Sequence, residues 1–285
     1  MYTLSDDQLE VSILDPVADR DRMGPRYCTG GYIFQIEDAG RPLLSGPTYP
    51  ENFNWFDGQG IPDSFAQAPL RSLHSPSSQA LIPGIGLCDT SAKTILEHCE
   101  WDVHAEDLRS ENLGAKDARA EDCRIRFRNQ QSWEDYSFVL EREVSLSGRV
   151  LSSHTRIENL TAVQFPISWF PHPFFPLPSD PDSALCSFPA PVEIAPGSAF
   201  YLSEDGYLRC SDPSTLQPVS VRCNSAGPLT VLQHHPHLGL VAARYSFSAG
   251  HILAWANPKT FSFEPYLEQT IGGRMALEWS AEYHF

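Results

Sequence analysis

Residues 121–159 hold the pattern that most constrains what this chain can fold into. In EDCRIRFRNQ the apolar Cys123, Ile125 and Phe127 alternate with Arg124, Arg126 and Arg128, which is the period of two of a strand with one dry and one wet face. In DYSFVLEREVSL, Tyr136, Phe138, Leu140, Val144 and Leu146 fall on one parity. SGR at 147–149 reads as a turn and VLSSHTRIEN as a returning strand, so the stretch predicts a long antiparallel hairpin. A sheet with one apolar face needs a second layer to cover it.

The same reading extends along the chain. Strands are expected at 8–14, 26–37, 94–104, 216–223, 229–234, 238–246, 250–256, 261–264 and 275–284. No window of helical length carries a convincing 3.6-residue apolar stripe, and only short helical turns are expected, near 62–70. The turn-rich stretches 40–64 and 176–214 read as long loops or irregular arms over the sheets. Twenty-four prolines and 16 phenylalanines fit many turns and aromatic packing. Many strands and no linker predict an all-β, antiparallel sandwich spanning 1–285 as one domain.

Charge excludes some partners. Acidic residues number 36 against 20 basic ones, a formal charge of −16, so neither nucleic acid nor an anionic membrane is an expected partner. The opening MYTLSDDQLEV has no basic segment followed by an apolar one, and no apolar run reaches the roughly 20 residues of a membrane span, so the expected location is cytoplasmic. Seven cysteines without C-x-x-C spacing read as reduced, mostly buried thiols. Asn159-Leu160-Thr161 matches a glycosylation acceptor, which carries no weight without a secretion signal.

Five segments carry candidate chemistry. In SWFPHPFFPLP, His172 is the one ionisable group among aromatics and prolines. Pro171 and Pro173 stiffen the backbone around it, and an imidazole titrates close to neutrality. It reads either as a core histidine or as a preorganised acid–base group. In FSFEPYLEQTIGG, Glu264 lies between Phe263 and Pro265, where a carboxylate must be paired, protonated or used; Glu268 sits in more polar company. The alternative for Glu264 is a strand-end carboxylate held by backbone N–H groups. Arg26, between Pro25 and Tyr27, offers a fork of donors to ligand oxygens or forms a structural ion pair. NFNWFDGQGIPDSF, with Gln59, mixes glycines, aromatics and amides as a sugar-binding loop would, or is an ordinary surface loop. In QHHPHLG, His235 and His237 share a strand face, but no carboxylate or thiol stands near, so no metal is expected. Neither G-x-S-x-G nor H-E-x-x-H occurs.

Taken in order, these parts resemble the aldose 1-epimerase (galactose mutarotase-like) superfamily. The hairpin YSFVLEREVSLSGRVLSSHTRIENLT leads into FPISWFPHPFFPLP, and ILAWANPKTFSFEPYLEQTIGGRMALEWSAEYHF resembles the family's strand, glutamate, glycine turn and closing strand. The resemblance covers about residues 120–285 well and the rest loosely. It implies a β-supersandwich, a catalytic His172 and Glu264, a sugar as ligand, and no metal or organic cofactor. In the implied reaction, interconversion of the α and β anomers of an aldose, the Glu264 carboxylate takes the C1 hydroxyl proton. A charged His172 protonates the ring oxygen, its charge favoured by the carboxylate nearby. GQGIPDSF looks like a weakened form of the GGIP segment of hexose-phosphate relatives. Those relatives carry a second His and an Arg in an H-G-F-A-R-like segment; PGIGLCD stands there instead, with Ile85 and Asp89 in the two places. Arg26 and His98 are the candidates to compensate, and Gln59 and Glu268 complete the expected substrate contacts. A non-catalytic carbohydrate-binding protein on the same fold, or another sugar-active enzyme such as a lyase or glycosidase, stays open.

Overall fold

The computed structural model describes residues 1–45, 58–107, 123–178, 180, 183–212, 218–224 and 226–285, with the side chains of Glu106 and Asp107 left aside. The described residues form an all-β antiparallel sandwich. Its largest layer is a ten-stranded sheet. The predicted hairpin lies inside that sheet as Cys123–Trp133, Tyr136–Ser147 and Val150–Asn159, and Ala276–His284 continues it. Side chains of alternating parity point into one contiguous apolar core that draws residues from Leu4 to Tyr283.

Two smaller sheets cover the large one and carry the site. One pairs Phe165–Pro171 with Leu267–Ile271 and with Asp63–Ser64. The other pairs Thr260–Pro265 with His251–Ala256 and its neighbours. Aromatic rings bind the layers. Phe165 meets Phe138 at 5.7 Å between ring centroids and Tyr136 at 6.1 Å, and Trp169 meets Trp279 at 5.4 Å. Burying each such side chain contributes about 1.5–3 kcal/mol.

Several expectations shift. The segment 62–70 holds no helix but a single i→i+3 turn, Ala68 N–H to Phe65 O, between the extended pairs Asp63–Ser64 and Leu70–Arg71; Pro62 and Ser64 are tied to the Phe165–Pro171 strand and its continuation. The one helical element among the described residues is a 3-10 turn, Arg20–Arg22. The strand expected at 26–37 begins only at Ile33 and runs to Asp38, and 94–104 divides into Thr94–His98 and Asp102–Asp107. The arm 176–214 contributes short strands to the sheet edges, among them Cys186–Ser187, Phe200–Leu202 and Tyr207–Cys210. Asn159, the residue of the acceptor pattern, is 1% exposed and ties a turn: its amide donates to Val163 O and Gly272 O, and its oxygen accepts from Thr161. All seven cysteines are free and buried. No helix among the described residues is long and apolar enough to cross a membrane.

One ion pair locks the covering layer to the large sheet. Arg142 stands on the inward parity of Tyr136–Ser147, 2% exposed, and pairs with the buried Asp63. Its terminal guanidinium nitrogens also reach Gly30 O at 3.0 Å and Ser153 Oγ at 2.9 Å. Burial raises the Asp63 carboxyl to about 6, with the Arg142 charge opposing that rise.

Candidate active site

His172 is fixed by the segment the sequence marked with prolines. The Phe165–Pro171 strand ends just before it, and residues 58–62 run alongside. His172 N–H donates to Pro62 O and Phe174 N–H to Gly60 O, both at 2.8 Å. Pro171 and Pro173 have no N–H to offer, so bonding through alternate residues leaves no donor stranded. Phe174 stacks flat on the imidazole, centroids 4.3 Å apart and planes 8° from parallel. Tyr27 and Trp255 meet it edge-on at 6.0 Å each. The approach of 58–62 depends on glycine: a Cβ on Gly58 would lie 2.5 Å from the Phe174 ring, and one on Gly60, at φ +78°, would lie 2.2 Å from Ile33 O.

Glu264 comes from the Thr260–Pro265 strand. Phe261 and Phe263 face the core, while Ser262 and Glu264 share the opposite parity. Glu264 Oε1 lies 3.2 Å from His172 Nε2, and Ser262 Oγ lies 3.1 Å from Nδ1. The Tyr266 hydroxyl donates to the Glu264 carboxyl. The two side chains of the pair are only 5% and 3% exposed. Burial dominates their protonation. It raises Glu264 to about 8, against the opposing effects of the Arg26 charge and the Tyr266 bond. Burial, followed by the Arg26 charge, pushes His172 well below its ordinary range. Where the sequence reading expects a charged imidazolium beside a carboxylate, both shifts run toward a neutral imidazole beside a carboxylic acid, because burial penalises each charged form.

The other sequence candidates divide. Arg26 is brought to the pair: its charge acts on His172, Glu264 and Tyr266, and its guanidinium lies 5.0 Å from the Tyr27 ring centre. Gln59 is buried, 8% exposed, with its N–H donating to the Tyr32 hydroxyl at 3.3 Å. Residues 52–57 of the candidate sugar loop lie outside the described residues. Glu268 lies on the neighbouring Leu267–Ile271 strand and lines a cleft with His251 and Tyr266. His98 is not brought there: it lines a different cleft with Glu97, Gln130 and Trp133. Ile85 is fully buried in the core, its carbonyl accepting from Cys99 N–H. Asp89 caps a turn, accepting from Ser91 and Ala92 N–H and from Ser78 Oγ. His235 is structural, with Nε2 2.7 Å from Leu43 O and Nδ1 accepting from His237 and Leu238 N–H. Among the described residues no three His, Cys, Asp or Glu side chains gather as a metal site would require.

Sequence reasoning passed over Ser262 and Tyr266. Their signal was parity: with Glu264 they occupy alternate positions, and two polar groups flanking a buried carboxylate on one face mark a shared site. Arg142 carried the same kind of signal, a cation on the apolar parity of an amphipathic strand.

The antiparallel sandwich with its inward His–Glu pair has the galactose mutarotase-like fold. No protein-family model and no curated protein matches the chain. Solved structures do match across nearly its whole length. They include the Slr1438 protein of Synechocystis sp. PCC 6803, 15% identical with a TM-score of 0.58 over 99% of this chain and 94% of that one. A galactose mutarotase-like protein from Clostridium acetobutylicum is 13% identical, TM-score 0.55, over 99% and 93%. Galactose 1-epimerase from Lactobacillus acidophilus is 10% identical, TM-score 0.53, over 99% and 92%. At these identities the likeness is one of fold.

Proposed function

We propose that this protein is a cytoplasmic aldose 1-epimerase-like enzyme that interconverts the α and β anomers of an aldose by general acid–base catalysis. The observation that carries the reading is the 3.2 Å contact between His172 Nε2 and Glu264 Oε1 in a nearly dry setting. Two groups of opposite chemical type, aimed at one point and shielded from water, are what proton exchange between a C1 hydroxyl and a ring oxygen needs.

The neutral resting pair already holds the protons the reaction uses. Glu264 donates its hydroxyl to Nε2, and Nδ1–H donates to Ser262 Oγ. Moving the one proton from Glu264 to Nε2 turns the pair into carboxylate and imidazolium without any exchange with solvent. The carboxylate then takes the proton from the C1 hydroxyl while Nε2–H gives its proton to the ring oxygen. The ring C–O bond breaks as the C1 carbonyl forms. Rotation about C1–C2 and reversal of both transfers close the other anomer. Arg26 disfavours the imidazolium and favours the carboxylate, so its position matters to the balance.

Two positioned acid–base groups supply about 10²–10⁴-fold each. NMR exchange spectroscopy with free and phosphorylated aldoses tests the reading. Accelerated anomer exchange is expected, falling at least about 100-fold in His172→Ala and in Glu264→Gln. Rates near wild type in either variant overturn it.

A non-catalytic carbohydrate-binding protein is the second reading. The near-complete burial of the pair, the core position of Ile85 and the turn-capping bonds of Asp89 favour this alternative. Sugar binding without faster exchange would establish it.

A further inference from the structure

Tyr266 stands at the corner where the chain leaves Thr260–Pro265 in one covering sheet and enters Leu267–Ile271 in the other. Each sheet sends a ring onto it. Phe170, from the Phe165–Pro171 strand, stacks at 4.7 Å between centroids and 24° between planes. His251, the first residue of His251–Ala256, stacks at 4.4 Å and 22°. Two rings at those distances are too close to lie side by side on one face, so they clamp the phenol from opposite faces. The backbone is held as well, Tyr266 N–H donating to His251 O at 3.2 Å.

The clamp aims the hydroxyl at the Glu264 carboxyl. An O–H donor binds a carboxylate more strongly than the neutral acid, so this bond favours ionised Glu264. The Arg26 charge acts in the same direction, and burial opposes both. The other titrating groups around the two side chains are His172, 3.2 Å from the carboxyl, Glu268, whose charge acts on Tyr266, and His251, 3.9 Å from Glu268. In the acid–base reading Glu264 must pass its proton to His172 before it can serve as a base. The population of that charged form falls tenfold for each pH unit by which Glu264 rises. A donor that stays on the carboxyl during the transfer therefore sets how often the base exists.

We propose that Tyr266 is a positioning residue: clamped between Phe170 and His251, its hydroxyl orients the Glu264 carboxyl and stabilises the carboxylate that forms when His172 takes the proton. This rests on the acid–base reading of His172 and Glu264, but the hydrogen bond is readable without turnover. NMR of protein labelled with carbon-13 at the glutamate side-chain carboxyls follows Glu264 directly, its signal assigned by its loss in Glu264→Gln. Tyr266→Phe keeps the ring and removes the hydroxyl. Its Glu264 midpoint should rise by about one pH unit from the wild-type value of about 8, as loss of a hydrogen bond to a charged group predicts. With the aldose that the wild type exchanges fastest, kcat should fall about tenfold while KM stays within about twofold. The active pair carries one proton, so the alkaline limb of the pH–rate profile should move up with the midpoint. His251→Ala should shift the midpoint in the same direction by less, and His251→Phe, which restores a ring on that face, should return it to the wild-type value. An unchanged or lowered midpoint in Tyr266→Phe, or a loss confined to KM, overturns the role; lowered stability without a titration shift marks a merely structural tyrosine and overturns it too. A His251→Ala midpoint equal to that of the wild type overturns the clamp. A raised midpoint in Tyr266→Phe, in a protein whose wild type speeds no anomer exchange, sinks the epimerase reading and leaves the Tyr266 bond standing. Wild-type exchange rates in Tyr266→Phe do the reverse.

Discussion

At the scale of single residues, protonation and hydrogen bonding around His172 make two predictions. Glu264 rises from its ordinary value near 4.5 to about 8 in the folded protein. The native state then keeps a proton that the unfolded chain releases, so this group's contribution is complete below about 4.5 and is lost as pH rises toward 8. His172 acts oppositely: its lowered value favours the native state above its ordinary range near 6.5 and penalises it as pH falls. The two effects oppose each other on the acid side, leaving the Glu264 decline exposed between about 6.5 and 8. Glu264→Gln, which cannot ionise, should flatten the fall in melting temperature over that window; an unchanged pH profile would contradict the assignment. Ser262→Ala removes the partner of Nδ1. It should cost about 1–3 kcal/mol in urea unfolding, the usual penalty of a buried polar group left unpaired. It should also shift the pH–rate profile, since the tautomer of His172 is no longer fixed.

At the scale of elements, the site depends on a close contact between two irregular pieces. Residues 58–62 and 172–174 share two backbone hydrogen bonds, and Gly60 adopts φ +78° with its α-carbon against the backbone of Ile33 and Phe34. Gly60→Ala should lose about 1–3 kcal/mol or more from the left-handed backbone conformation alone, and the backbone clash adds to that. Because the contact orients His172, anomer exchange should fall further than stability does. Denaturant melts beside exchange rates check this, and an active, fully stable Gly60→Ala would refute it. Most of the elements visible in the sequence have one wet face, although Thr260–Pro265, also expected, is buried at every position. The hairpin 123–159 announces itself by alternating Arg and Glu with apolar residues. Phe165–Pro171 does not, because both its faces are covered and its run is apolar almost throughout, with Pro166 exposed at one end. The strand that presents His172 was thus read as a stiff segment and not as part of a sheet.

At the scale of the whole molecule, the Arg142–Asp63 pair joins the ten-stranded sheet to the layer that bears the site. Removing one partner of a buried pair leaves the other charge uncompensated, typically at about 3–5 kcal/mol. Asp63→Asn should therefore destabilise the protein by that order in urea unfolding, and it should loosen residues 58–64 beside His172. A loss below about 1 kcal/mol would mean the pair is not the lock described.

What the sequence by itself determined is the class of fold, since alternation over residues 123–159 requires a half-buried antiparallel sheet. It offered His172 and Glu264 as candidates, and only the family resemblance joined them as a pair. Only the tertiary structure decided how close those two come, which protonation states they keep, and which companions they gather. Alternation reports which face of a strand is dry, but it carries no information about what lies across the gap from that face. Ser262, Tyr266 and Asp63 acquire their roles from neighbours distant in the chain. The neutral state of the His–Glu pair follows from a desolvation that exists only once Phe174, Tyr27 and Trp255 have closed around it.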